Sequence, residues 1–357
     1  MTAPQRVSFN HQTHRVDWLS HTVAGQKVLA DWHAKDARPL CQCVPGGVEM
    51  YVARRGSRHY LARMPGTGPQ HAAGCPSMEE NPRLYSGIGG YAPEAISLSS
   101  DGCLLVSFDP AAARGEEGLP SLSLDGLLDL IIDEADFNRR GAGEAGPRIW
   151  PTALEALERA AAGIGLAGLG PLKTMLLLPH PYDREKHETE RARQIAFLAD
   201  ASVSRPCFVC APLREVRQSP FGWGLVLKHM PSLRFWVPGG VSEALALRNG
   251  NMDFLAQPPE HALCLLQVRA GRKPSSFSVP ALAIRRMDTG YMPCSSDAIE
   301  SAACHLTEAG IAFMLPLRFD LALGRPLADY VLTEANPPRP VFLGGARAPS
   351  ARASCEG

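Results

Sequence analysis

With 357 residues, 45% of them hydrophobic and 20% charged, the chain is long enough for two or three domains with real cores. Lys and Arg total 36 and Asp and Glu total 36, which excludes a global field toward nucleic acid or anionic membrane and leaves only local patches. No run approaches the roughly 18 apolar residues of a membrane helix, and the first 18 residues lack the apolar stretch of an export signal. A cytoplasmic protein without a membrane partner is expected, its ten cysteines reduced and serving as thiols or metal ligands.

In chain order, residues 1–30 read as a polar leader with one strand. Residues 31–85 hold a hairpin, with strands at 48–54 and 58–64 joined by Arg55-Gly56-Ser57. Residues 86–180 combine a strand at 103–108, a connector at 111–120 and helices at 122–138 and 152–162. Pro151 suits the first turn of the second helix, and an apolar helix or strand follows at 172–178. Three helices there would make a winged-helix-like module. Residues 181–344 read as an α+β domain. It holds helices at 185–200 and 296–309, an antiparallel sheet from segments between 207 and 286, and strands near 315–319, 329–333 and 341–343. The tail, 345–357, is small and polar, and disorder is expected.

Four residues carry metal-ligand chemistry at a telling spacing: Cys41 and Cys43 before the hairpin, His71 and Cys75 after it. Extended chain projects residues two apart in one direction, and one helical turn does the same for residues four apart. The hairpin brings its ends together. The segment between 31 and 85 has few large apolar residues, so a structural zinc is expected to hold it, with His59 as reserve ligand. Unrelated reduced cysteines are the plain alternative.

The hairpin also carries Arg54, Arg55, Arg58 and Arg63, with Tyr51 and Tyr60 among them and no acid between 51 and 64. Guanidinium groups bind phosphate and aromatic rings stack on bases, so DNA or RNA contact is one reading and a protein partner the other. Other motifs fall away. Gly163 to Gly168 fits GxGxxG but follows a helix and reads as its stop. Cys207 and Cys210 form a CxxC with bulky apolar residues inside, which reads as a buried strand. Near the end, Asp329 sits where a restriction-type nuclease fold places a metal-binding Asp. The following strand should add an acid and a Lys, and instead offers Val341, Phe342 and Leu343.

The segments around Cys41 and Cys43, Tyr51 to Arg55, Arg63 to Gly68 and His71 to Pro76 resemble a bacterial family catalogued as domain of unknown function 1173. Leu317-Arg-Phe and Asp329 to Glu334 are similar to its C-terminal part. The resemblance implies a bacterial protein carried with plasmids and integrative elements, and implies no activity. A weaker similarity is to competence proteins that join a zinc finger to a nuclease domain.

The expected architecture is α+β: a small zinc-held hairpin module, central helices, and a C-terminal mixed sheet of degenerate restriction-nuclease-like type. The leading functional expectation is a non-enzymatic zinc-binding accessory protein of mobile DNA. The alternatives are a zinc-finger-plus-nuclease enzyme and a protein-interaction module.

Overall fold

The computed structural model of the chain describes residues 5–10, 12–55, 58–64, 67–72, 75–77, 85–99, 103–144, 146–199, 201, 206–241, 255, 257–271, 273, 275–322, 327–335 and 338–343. The fold is mixed α+β with several sheets. It divides into two units, Met1–Tyr85 with Val331–Val341, and Ser86–Tyr330 with Phe342–Gly357.

The first unit opens with strands β1 (Arg6–Phe9) and β2 (Gln12–Arg15) and helices α1 (Val16–His21) and α2 (Val23–Ala34). Strands β3 (Leu40–Cys41), β4 (Val48–Arg55) and β5 (Arg58–Arg63) follow. The five strands make one antiparallel sheet in the order β2-β1-β3-β4-β5. The leader expected at 1–30 is therefore part of the fold. It reads as polar because each short element buries at most two side chains. Val7, Leu19, Leu29 and Trp32 are buried, and they share a core with Met50, Val52, Cys41 and Cys75. The hairpin module borrows this apolar surface from the residues before it. Helix α2 lies on the hairpin, where the Gln26 amide donates to His59 O at 3.0 Å and accepts from His59 N at 3.0 Å.

The second unit begins with β6 (Ile96–Leu98), β7 (Leu104–Val106), α3 (Leu124–Glu134), β8 (Arg139–Arg140) and α4 (Trp150–Ala162). Ser123 caps α3, and Pro151 sits in the first turn of α4 as its sequence predicts. Strands β9 (Ile164–Leu166) and β10 (Gly170–Pro171) complete a four-stranded sheet in the order β10-β9-β7-β6. Gly163 ends α4, so the GxGxxG run is a helix stop leading into β9. The winged-helix expectation at 86–180 fails among the described residues, which supply two α-helices where it needs three. The apolar run at 172–178 is too short for a helix face. It splits into the 3-10 turn Leu172–Thr174 and the buried strand β11 (Leu176–Leu177), parallel to β12.

After α5 (His187–Ala199) come β12 (Cys207–Ser219), β13 (Gly222–Leu227), β14 (Arg234–Pro238), β15 (Ala262–Ala270) and β16 (Ser276–Arg286). They pair in the order β12-β13-β14-β16-β15, and β15 returns to β12, so the sheet closes on itself. A register shift between Leu213 and Glu215 lets β12 serve β15 with its first half and β13 with its second. Closure pairs β12 to β16 into a ring, with β11 added alongside β12. The β14–β16 pair is parallel, so the sheet expected to be antiparallel is mixed. Cys207 and Cys210 lie in buried β12, as their apolar neighbours indicate.

Helix α6 (Asp297–Glu308) is capped by Ser296, whose hydroxyl accepts from Ile299 N at 3.3 Å. Strand β17 (Phe313–Met314) pairs antiparallel with β8. The strand expected near 315–319 lies earlier, at β17; Leu315 N still donates to Asn138 O at 2.7 Å, and beyond it the chain turns, with Phe319 at φ 53°. Strands β18 (Tyr330–Leu332) and β19 (Arg339–Val341) are neighbours, and β19 starts earlier than its apolar residues suggest. The tail expected to be disordered, 345–357, lies outside the described residues.

A buried ionic group joins α3, β16 and the turn after Leu317. Arg285 donates from Nε to Asp129 Oδ1 at 2.6 Å and from Nη1 to Asp125 Oδ1 at 2.9 Å. The other Asp129 oxygen accepts from Phe319 N at 2.7 Å. Asp320 accepts from Ser123 N at 2.8 Å, from the Ser123 hydroxyl, and from Tyr91 OH at 2.6 Å. Gly87 closes the same region, since its N–H donates to Leu317 O at 2.7 Å. A Cβ at Gly87 would stand 1.9 Å from the Arg318 carbonyl oxygen, a backbone atom with no room to retreat. Gly87→Ala is expected to cost about 3 kcal/mol, measured by denaturant unfolding, with a folded state of wild-type stability as the contrary result.

Candidate metal centre

Four side chains from two short segments, one at the end of β3 and one after β5, meet in the first unit. Cys41 ends β3, where it pairs with Val7 of β1 and Val48 of β4, and its side chain is fully buried. Cys43 follows in the turn before β4 rather than in extended chain. His71 comes after the 3-10 turn Gly68–Gln70 with an extended backbone at φ −78° and ψ 150°. Cys75 then closes a tight turn by donating its N–H to Ala72 O at 2.9 Å. In place of the expected helical turn between His71 and Cys75 there is a reverse turn closed by that bond, as Gly74 and Pro76 in the sequence favour. Hairpin β4–β5 runs from Val48 to Arg63 between the two pairs and returns the chain to its starting point.

The ligand atoms of Cys41, Cys43, His71 and Cys75 all lie within 4.8 Å of one another. Cys41 Sγ is 3.7 Å from Cys75 Sγ, and His71 Nδ1 is 3.3 Å from Cys43 Sγ and 3.7 Å from Cys75 Sγ. A tetrahedron with metal–sulfur bonds of about 2.3 Å and a metal–nitrogen bond of about 2.0 Å has edges of about 3.8 Å between sulfurs and about 3.5 Å between sulfur and nitrogen. The observed separations match those edges, and they exceed the roughly 2.05 Å of a disulfide. The residues therefore fit a single ion bound by three thiolates and one imidazole.

The surroundings suit thiolates. Gln5 Nε2 faces Cys41 Sγ at 3.4 Å and Cys75 Sγ at 3.6 Å, and it is held by Ser77 Oγ at 2.8 Å. Ala72 N donates to Cys43 Sγ at 3.4 Å. Without an ion, burial pushes the Cys41 thiol up to about 12 and raises Cys75 as well. A metal must therefore displace protons held more firmly than usual. Burial, then the Arg63 charge, lower the His71 pKa, which leaves its imidazole neutral and able to ligate.

Among the described residues, Cys41, Cys43, His71 and Cys75 form the one such group of His, Cys and acidic side chains. The reserve ligand, His59, lies outside it on β5, with its ring 5.2 Å from that of His33. Gln5 and Ser77 gave no signal in the sequence. Their role arises from a strand pairing that brings residues 36 and 70 positions apart into contact with Gln5.

The basic hairpin is real, but its cations divide between its two faces. Cross-strand partners share a face. Arg54 pairs with His59 and Arg63 with Met50, on the side that carries buried Met50 and Val52. Tyr51, Tyr60 and Arg58 take the other side; Tyr60 is 39% exposed, and Arg58 donates to Ser20 O at 3.3 Å. Arg55 is registered opposite Arg58. The sequence could list the arginines but could not sort them.

The family model described as "Protein of unknown function (DUF1173)" matches residues 13–352, nearly the whole chain. The chain belongs to the DUF1173 family. No curated protein and no solved structure matches it. Membership in DUF1173 confirms the resemblance read from the cysteine segments and the later Leu317 and Asp329 segments. No described helix is long and apolar enough to cross a membrane.

Proposed function

We propose that Cys41, Cys43, His71 and Cys75 hold a structural zinc ion, and that the protein is a non-enzymatic accessory factor of bacterial mobile DNA. On this reading it touches nucleic acid through the hairpin face of Arg58, Tyr51 and Tyr60. The observation that carries the metal assignment is the convergence of four donor atoms within 4.8 Å in a largely buried position. Soft thiolates with one imidazole favour zinc over the harder divalent ions. Four protein ligands leave no open position for water or substrate, which supports a structural role rather than a catalytic one. The ion would tie the turn after β3 to the turn after β5 and so fix the hairpin between them.

Two aromatic rings and a guanidinium on one exposed face favour single-stranded nucleic acid over a protein partner, because rings stack on bases without regard to sequence. The test uses the full chain and a fluorescent single-stranded oligonucleotide. Changing Tyr51, Arg58 and Tyr60 together to Ala is expected to weaken binding at least tenfold and to reduce its salt dependence. Unchanged, salt-insensitive affinity would move the reading to a protein-interaction module.

The zinc-finger-plus-nuclease alternative draws on one observation, that Asp329 lines a cavity with several arginines in the second unit. That lining contains no Lys, and β19 carries no acid. Cleavage dependent on a divalent metal and abolished by Asp329→Ala would favour this alternative.

A further inference from the structure

The second unit holds a cavity of about 240 Å³ between the loop after β11, one face of α5 and the turn from β13 to β14. It is small beside the roughly 300–1,000 Å³ of sites for drug-sized ligands, so it suits one ring system rather than an extended molecule. Its charged lining, Asp183 and Glu190 against Lys186 and Arg191, sums to zero. Each of these charges also has a partner. Lys186 lies 3.7 Å from Asp183, and Arg191 lies 3.6 Å from Glu188. Arg193 donates to both oxygens of Glu190, at 2.9 and 2.7 Å. With the fixed charges cancelled, selection falls to ring faces and hydrogen-bonding edges.

Two side chains supply that edge, and the structure fixes the polarity of both. Gln194 is 2% exposed, and its Nε2 donates to Glu190 Oε1 at 3.1 Å. A carboxylate only accepts, so the amide cannot be turned round. Its Oε1 meets no donor among the described residues and is the acceptor that Gln194 brings to the cavity wall. His229 accepts from Tyr182 N at 3.0 Å through Nδ1, which puts the ring proton on Nε2 and makes that atom a donor. Burial, then the Lys228 charge, lower the His229 pKa and keep the ring neutral.

The ring faces are equally well held. His229 stacks on Trp150 with centroids 5.4 Å apart and planes at 13°, and Trp150 is anchored through Nε1 to Pro179 O at 3.0 Å. These contacts keep the His229 backbone at φ 66°, an uncommon conformation for a residue with a side chain and one that marks functional sites when its surroundings impose it. Tyr182 and His187 add two further rings, with centroids 5.5 Å apart.

We propose that this cavity binds a single nucleobase, stacked on the Tyr182 ring and read along one edge by Gln194 Oε1 and His229 Nε2. A nucleobase joins a flat π face to an uncharged edge of neighbouring donors and acceptors, which is what these walls complement. A phosphate or carboxylate would meet cations that are already paired. The proposal is independent of the metal centre and the hairpin, which belong to the other unit.

The experiment is ligand-observed NMR titration of the full chain with adenosine, guanosine, cytidine and uridine. At least one nucleoside is expected to bind the wild type saturably. Tyr182→Ala and Gln194→Met are each expected to weaken it at least about fivefold, through loss of a stacking face and of a hydrogen-bond acceptor respectively. Tyr182→Phe keeps the ring and is expected to bind as the wild type does. Tyr182 is 52% exposed, so this pair of variants serves even if Gln194→Met fails to fold. A single-stranded trinucleotide of the preferred base separates the two sources of the ligand. Tighter binding than the nucleoside would identify a base turned out of a strand, and equal or weaker binding a free nucleoside or base. No saturable binding of any nucleoside, or affinities that ignore both Tyr182→Ala and Gln194→Met, would overturn the proposal.

Discussion

Cys75→Ser is expected to abolish metal binding and to lower the stability of the first unit by about 5 kcal/mol, below the ~10–16 kcal/mol of small domains that fold only with their ion. The figure is reduced because this unit has apolar support of its own, from Val7, Leu19, Leu29 and Trp32. It stays large because Cys41 and Cys75 are themselves buried in that core, so loss of the ion leaves neutral thiols and an imidazole packed together without the bonds that joined them. Cys41→Ser is expected to behave alike. Cys304→Ser, at an exposed thiol on α6, is expected to leave metal content unchanged. Hydrogen exchange resolved by segment checks the effect: protection should fall across β1, β3 and the hairpin while β12 to β16 keep theirs. Uniform protection in Cys75→Ser would contradict it.

Asp129→Ala should produce the largest loss in the second unit, about 3–5 kcal/mol. Asp129 is 1% exposed, and it neutralises Arg285 through one oxygen while binding Phe319 N through the other. Burial pulls the Arg285 guanidinium down, but Asp129 and Asp125 outweigh it and raise it above its ordinary value. A guanidinium stays protonated even without that support, so the charge persists when Asp129 is removed. Asp125 would be left as its single carboxylate, Phe319 N would lose its acceptor, and a cavity would form under α3. Replacing Asp129 with Asn keeps one acceptor and should cost less. Chemical denaturation of both variants tests the order, and an Ala variant as stable as Asn would refute the account.

Much of this was legible in the residues. The 3.6-residue spacing of Leu124, Leu127, Leu128 and Ile131 gave α3, and the Gly-bearing turn between two alternating runs gave the hairpin. The four donor residues were readable because Cys and His at close spacing are rare outside metal chemistry. Long-range pairing was what local pattern could not supply. The first 30 residues read as a polar leader, since three buried side chains, Val7, Leu19 and Leu29, spread over one strand and two helices leave a polar average. Only the apolar start of β12 was legible, because Pro212 and the charges after it hide a largely exposed ribbon that extends to Ser219. Asp125 and Asp129 do carry a signal in the sequence: two acids one turn apart among the buried leucines of α3 call for a buried cation, which Arg285 supplies.

The centre itself is tested most directly by X-ray absorption at the zinc edge together with metal quantification on the purified full chain. One zinc per chain is expected, with three sulfurs at about 2.3 Å and one nitrogen at about 2.0 Å. Protein prepared without chelators that is folded and carries no metal, or a zinc shell of oxygens alone, would contradict the assignment of Cys41, Cys43, His71 and Cys75.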